Sequence, residues 1–116
     1  MQSTKDVLFR LGKSRFRSGF YLKEKEKSYY NEKGDAVIRS HAEDFINSRI
    51  APKEPKNDGK QTPTHGHPVF VAMHATACCC RGCLEKWHKI PKGRELTPEE
   101  KNFLVELIMN WIQGQI

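Results

Sequence analysis

The chain has no run of about 18 consecutive apolar residues, which argues against a helix that spans a membrane. Its first residues, MQSTKDVLFRL, lack the apolar core of a secretory leader. A cytoplasmic protein with no membrane partner is therefore expected. Internal repeats and low-complexity tracts are missing, so neither a solenoid nor a biased disordered segment is indicated. Strand-like alternation is scarce too. Residues 69–73 (VFVAM) form one short apolar run, which reads as a strand or as the first turn of a buried helix. Cysteine is absent everywhere except positions 78, 79, 80 and 83. A disulfide framework spreads cysteines to close long loops, and this clustering does the opposite.

What is present describes one domain over residues 1–116, long enough to bury a core without help from metal or disulfides. Three parts are distinguished: a basic helical part (1–50), a loop (51–68), and a His/Cys segment with a C-terminal helical hairpin (69–116). The net charge of +6 is uneven, because residues 1–30 hold eight Lys/Arg against three Asp/Glu. Such an excess can meet nucleic-acid phosphates, or simply remain a solvated face. Within it, residues 14–20 (SRFRSGF) alternate Arg15 and Arg17 with Phe16 and Phe20. Arginines beside aromatics can contact backbone while bases stack; alternatively both Phe point inward and both Arg stay wet.

The expected fold is mainly α, about five helices with a long Pro/Gly-rich loop and at most one short strand. Residues 6–11 suggest a short amphipathic helix capped by Ser3 or Thr4, and residues 22–33 a polar helix stopped by Gly34. Asp35 then caps a helix to about Arg49, whose apolar stripe is Ile38, Ala42, Phe45 and Ile46. His41 falls on that stripe and reads as a packed histidine. Residues 51–68 carry Pro52, Pro55, Asn57-Asp58-Gly59, Pro63, Gly66 and Pro68, and deliver His65 and His67 toward the cysteines. A loop this long suggests order over a site. A helix over 77–89 follows. Thr97, Pro98 and Glu100 then make a capping box for a last, central helix to about Ile112.

Clustered cysteines beside histidines point to a transition metal, zinc first, since thiolate and imidazole are its preferred donors. On a helix Cys80 and Cys83, or Cys79 and Cys83, share one face. The start of the helix also stabilises thiolates. The candidate ligands are Cys80, Cys83 and His74, with His67 and Cys79 next. His88 lies about 140° around the helix from Cys83 and joins only if the helix loosens. An iron–sulfur cluster would need the adjacent cysteines as well. A redox pair suits Cys-x-x-Cys at a helix start, although the βαβ context is missing. Cysteines that merely pack a helix are the plain alternative. For a metal-dependent enzyme, hydrolytic in type, the candidate bases are Glu43 and Glu85.

His41-Ala42-Glu43 followed by Cys80-x-x-Cys83 resembles the zinc-dependent nucleobase deaminases. That likeness implies ligands at His41, Cys80 and Cys83 and an acid/base at Glu43. Cys79 stands where that pattern has Pro, and no five-stranded sheet is in prospect. Residues 67–97 (HPVFVAMHATACCCRGCLEKWHKIPKGRELT), with HAEDFINSRIAP and NDGKQTP upstream, resemble a small bacterial family of uncharacterised proteins defined by a domain of unknown function. The resemblance covers nearly the whole chain. It implies a shared fold and a shared site around Cys79, Cys80, Cys83 and His88, and no activity. Residues 86–107 are also loosely similar to a helix-hairpin-helix, with Lys89, Lys92 and Arg94 as candidate phosphate contacts.

Overall fold

A computed structural model describes residues 3–116 and shows six α-helices, with no strand among the described residues. Helix α1 (Thr4–Gly12) buries Val7 and Leu11. Ser3 stands at its N-cap without a side-chain bond, and the Thr4 hydroxyl instead accepts from Asn110 at 2.9 Å. A 3₁₀ turn (Arg17–Gly19) follows, then α2 (Glu24–Lys33), which ends at Gly34. There φ is 89°, and the Gly34 N–H closes on the Tyr30 carbonyl at 2.8 Å. Helix α3 (Asp35–Phe45) runs on as a π turn (Ile46–Ile50), reaching the expected end. Asp35 does not cap it. Its carboxylate accepts from the Tyr30 hydroxyl at 2.6 Å and from Gln113 at 3.0 Å, which ties α2 to the far end of the chain.

Helix α4 (Pro68–Ala75) absorbs the apolar run at 69–73, so the strand alternative is overturned. His67 caps it: its Nδ1 accepts the Val69 N–H at 3.0 Å, and Pro68 needs no partner at the first turn. Val69, Ala72 and Met73 are fully buried. A helix apolar on most sides stays helical when it is enclosed. Helix α5 (Arg81–His88) is shorter than expected, because residues 77–80 form a turn rather than its first coil.

Helix α6 (Pro98–Gln115) opens with the expected capping box. Thr97 Oγ1 accepts the Glu100 N–H at 3.1 Å, and the Glu100 carboxylate accepts the Thr97 N–H at 2.9 Å. It is the core helix, packed on α1, α3, α4 and the π turn. Leu104, Leu107, Ile108, Met109 and Ile112 are fully enclosed, each worth about 2–3 kcal/mol of burial. None of the described helices is long and apolar enough to cross a membrane.

Arg81 ties the start of the loop that precedes α4 to the loop between α5 and α6. This guanidinium is 1% exposed and donates to the carbonyls of Ile50 (3.3 Å), Pro52 (2.9 Å), Pro91 (2.9 Å) and Arg94 (2.9 Å). The Arg81 N–H donates to Asp58 at 3.1 Å. Nearer α4, the Gly66 N–H donates to the buried carboxylate of Glu26 at 2.9 Å.

Candidate metal centre

The cysteine turn is built by the end of α4. The Thr76 and Cys78 N–H groups close on Ala72 (2.8 Å) and Met73 (2.7 Å), while Ala77 takes a left-handed φ of 59°. That conformation costs a residue with a Cβ about 1 kcal/mol or more, and glycine is the usual occupant. Cys78 is driven into the core, and its thiol takes a hydrogen bond from the Thr76 hydroxyl at 3.3 Å. Burial pushes the Cys78 thiol up to about 12. Cys80 is extended and caps α5, its Sγ accepting the Cys83 N–H at 3.4 Å. As a result the sulfurs of Cys79, Cys80 and Cys83 all lie within 4.8 Å of one another. Cys79 and Cys83 touch at 3.6 Å. The loop covers the cluster, with the Thr62 hydroxyl donating to the Cys79 carbonyl at 2.8 Å.

Arg17 completes the site from the far end of the sequence. It is 7% exposed and reaches Cys83 Sγ at 3.0 Å, Cys79 Sγ at 3.7 Å and the His74 carbonyl at 2.7 Å. Phe20 stacks on the His74 ring with centroids 5.4 Å apart, which seats the 3₁₀ turn against α4. The inward-Phe, wet-Arg arrangement holds for Phe20 and Arg15 and fails for the other pair: Phe16 is 63% exposed, and Arg17 is enclosed. Burial opposes the charge on Arg17, yet its bonds to Cys79 and Cys83 outweigh this and raise its pKa. Cys79 is lowered, first by the hydrogen bond from Cys83 and then by Arg17, against its burial. Cys83 is raised, because its proton is held against Cys79 and because it is buried. Burial likewise raises Cys80. Of the three thiols, only Cys79 is eased toward the thiolate.

The histidines lie apart from this group of three. His74 Nε2 pairs with the Thr62 carbonyl at 3.0 Å. His88 Nε2 pairs with the Thr76 carbonyl at 2.8 Å, leaving Nδ1 buried without a partner. His67 and His41 pair with each other at 3.0 Å, among Tyr29, Phe45 and Phe70. Since His67 Nδ1 accepts from Val69, its Nε2 carries the proton and donates to His41. Burial, then His41, holds His67 down to about 4.

His41 thus serves the histidine pair, Glu43 is exposed by a groove near Pro98 and Lys101, and no sheet exists among the described residues. The deaminase-like ligand set is not assembled, which corrects that reading. Glu85 is exposed and accepts the Lys92 N–H at 3.2 Å. Among the candidate phosphate contacts, Arg15, Lys89 and Lys92 are exposed, Arg17 faces the thiols, and Arg94 holds Glu100 through two bonds of 2.8 and 2.7 Å. Arg81 and Thr62, which fix the loop to the cysteine turn, were not singled out from the sequence. A buried arginine and a surface arginine read alike in one chain.

These features define a class: an all-helical protein with a compact cysteine cluster, able to take a metal ion, backed by a buried arginine. The chain belongs to the family DUF4186, a domain of unknown function, whose pattern matches residues 5–113. No solved structure matches the chain.

Proposed function

We propose that this protein is a zinc-binding module whose metal is held by the thiolates of Cys79, Cys80 and Cys83. The convergence of three sulfurs within 4.8 Å carries the reading. A tetrahedral zinc with Zn–S bonds of about 2.3 Å needs sulfurs about 3.8 Å apart, so side-chain adjustments alone can close the site. The donor chemistry fits as well. Three thiolates leave a divalent ion with one net negative charge, and Arg17 brings one positive charge to two of the sulfurs. Cys80 caps α5 and Cys83 stands in its first turn, where free N–H groups favour anions.

When bound, zinc supplies a Lewis acid with one coordination position beyond the three thiolates. Neither Glu43 nor Glu85 joins the cluster, so the arrangement favours binding or structural work over hydrolysis. The test is elemental analysis of protein purified without a metal-affinity tag, with Cys83→Ser beside it. About one zinc per chain, lost in the variant, is expected. Wild type without metal, and without uptake from a zinc buffer, would overturn the proposal.

A further inference from the structure

The four thiols are not equivalent. Cys78 is wholly buried and engaged with Thr76, and Cys80 is held as the cap of α5. Cys79 and Cys83 are the pair whose sulfurs touch, at 3.6 Å, with Arg17 on both. A disulfide needs sulfurs about 2.05 Å apart. Cys79 sits in the turn and Cys83 in the first coil of α5, so the remaining approach can be shared between two side chains and a turn. Cys79 is 7% exposed and Cys83 is half-buried, so the pair meets solvent chiefly at Cys83.

We propose that Cys79 and Cys83 form a dithiol pair that hydrogen peroxide oxidises to a disulfide. One sulfur of the pair, as thiolate, attacks one peroxide oxygen, the O–O bond breaks, and hydroxide leaves, giving a sulfenic acid on that cysteine. The second thiol then attacks the oxidised sulfur, the S–O bond breaks, and water leaves with the proton of the second thiol. Two electrons pass from the sulfurs to the peroxide. One thiolate, one thiol and one peroxide become a disulfide, one hydroxide and one water. Arg17, in contact with both sulfurs, is the positioning residue that keeps them together and steadies the thiolate. The pair shares its sulfurs with the proposed zinc site, so disulfide and metal exclude each other; the inference rests on that reading only for this coupling.

The experiment uses full-length protein, reduced, stripped of metal by a chelator, and treated with one equivalent of hydrogen peroxide. A mass loss of about 2 Da is expected, with peptide fragmentation placing the link between Cys79 and Cys83. In Cys79→Ser and in Cys83→Ser no disulfide should form, and a sulfenic acid on the remaining cysteine of the pair should persist and be trapped by dimedone. Arg17→Met, checked for native helicity, should oxidise at least tenfold more slowly, with Arg17→Lys in between; equal rates would refute the role of Arg17. Zinc-loaded protein should release its metal as the link forms. Surviving thiols, or a link between another pair, overturn the inference even if zinc binds. A Cys79–Cys83 link in protein that takes up no zinc supports it while the zinc reading fails.

Discussion

Two arginines are buried in this small protein, and they do different work. The Arg81 side chain meets only backbone carbonyls, four of them, drawn from two separate stretches of chain. Arg17 meets one carbonyl and two sulfurs. The first guanidinium joins the start of the long loop to the loop before α6, satisfying backbone groups that burial would orphan. The second lends its charge to groups whose own charge is conditional. Arginine suits both tasks because it stays protonated when enclosed and donates in several directions. Both were unremarkable in the sequence, and the difference between them lies wholly in what surrounds them.

The largest effect that would sharpen this contrast is expected from Arg81→Met. It leaves buried carbonyls without donors, and a loss of about 3–5 kcal/mol is expected in chemical denaturation. Arg17→Met should cost only about 1–2 kcal/mol, since it orphans one carbonyl. Its main effect should appear instead in thiol reactivity and metal uptake. If the two variants lose equal stability, the division of labour is wrong.

Neither guanidinium titrates in the accessible range, so acid sensitivity must arise elsewhere. His67, lowered to about 4, stays neutral in the fold while the unfolded chain binds a proton near pH 6.5. The unfolded state therefore holds more protons between those values, and stability should fall as pH drops from about 6.5 to about 4. His88, also lowered by burial, acts in the same direction. His67→Asn keeps an acceptor for the Val69 N–H and should flatten the His67 part of the slope, read as Tm against pH. An unchanged slope would remove His67 from the account. The smallest effect is expected at Ala77. Glycine there relieves the left-handed φ but loses a buried methyl, so Ala77→Gly should lie within about 1 kcal/mol of wild type. At Ala72, buried within α4, the same change should cost about 1–2 kcal/mol. A matching loss at Ala77 would mean that its turn is unstrained.

Much of the helical frame was legible. The capping box at Thr97 and Glu100, the stop at Gly34, and the apolar positions of α6 depend on neighbours within a few residues, and local physics decides them. The cysteine cluster was legible too, because Cys79, Cys80 and Cys83 are near neighbours in the chain. The helix through the cysteines was misread at its start. Residues 77–80 have no glycine to announce a turn, and Ala77 adopts the glycine conformation because the end of α4 and the buried Cys78 hold it there.

By itself, the sequence determined a mainly helical chain with its thiols gathered into six positions, since periodicity, caps and spacing are local properties. Only the tertiary structure decided which thiols converge, which histidines turn away to carbonyls and to each other, and which arginine faces sulfur. The choice of arginine joins residues 57 to 66 positions apart, Arg17 with His74, Cys79 and Cys83, and the histidine contacts join residues 12 to 26 apart. Contacts of that range are set by how helices pack around α6, and no window of sequence contains them.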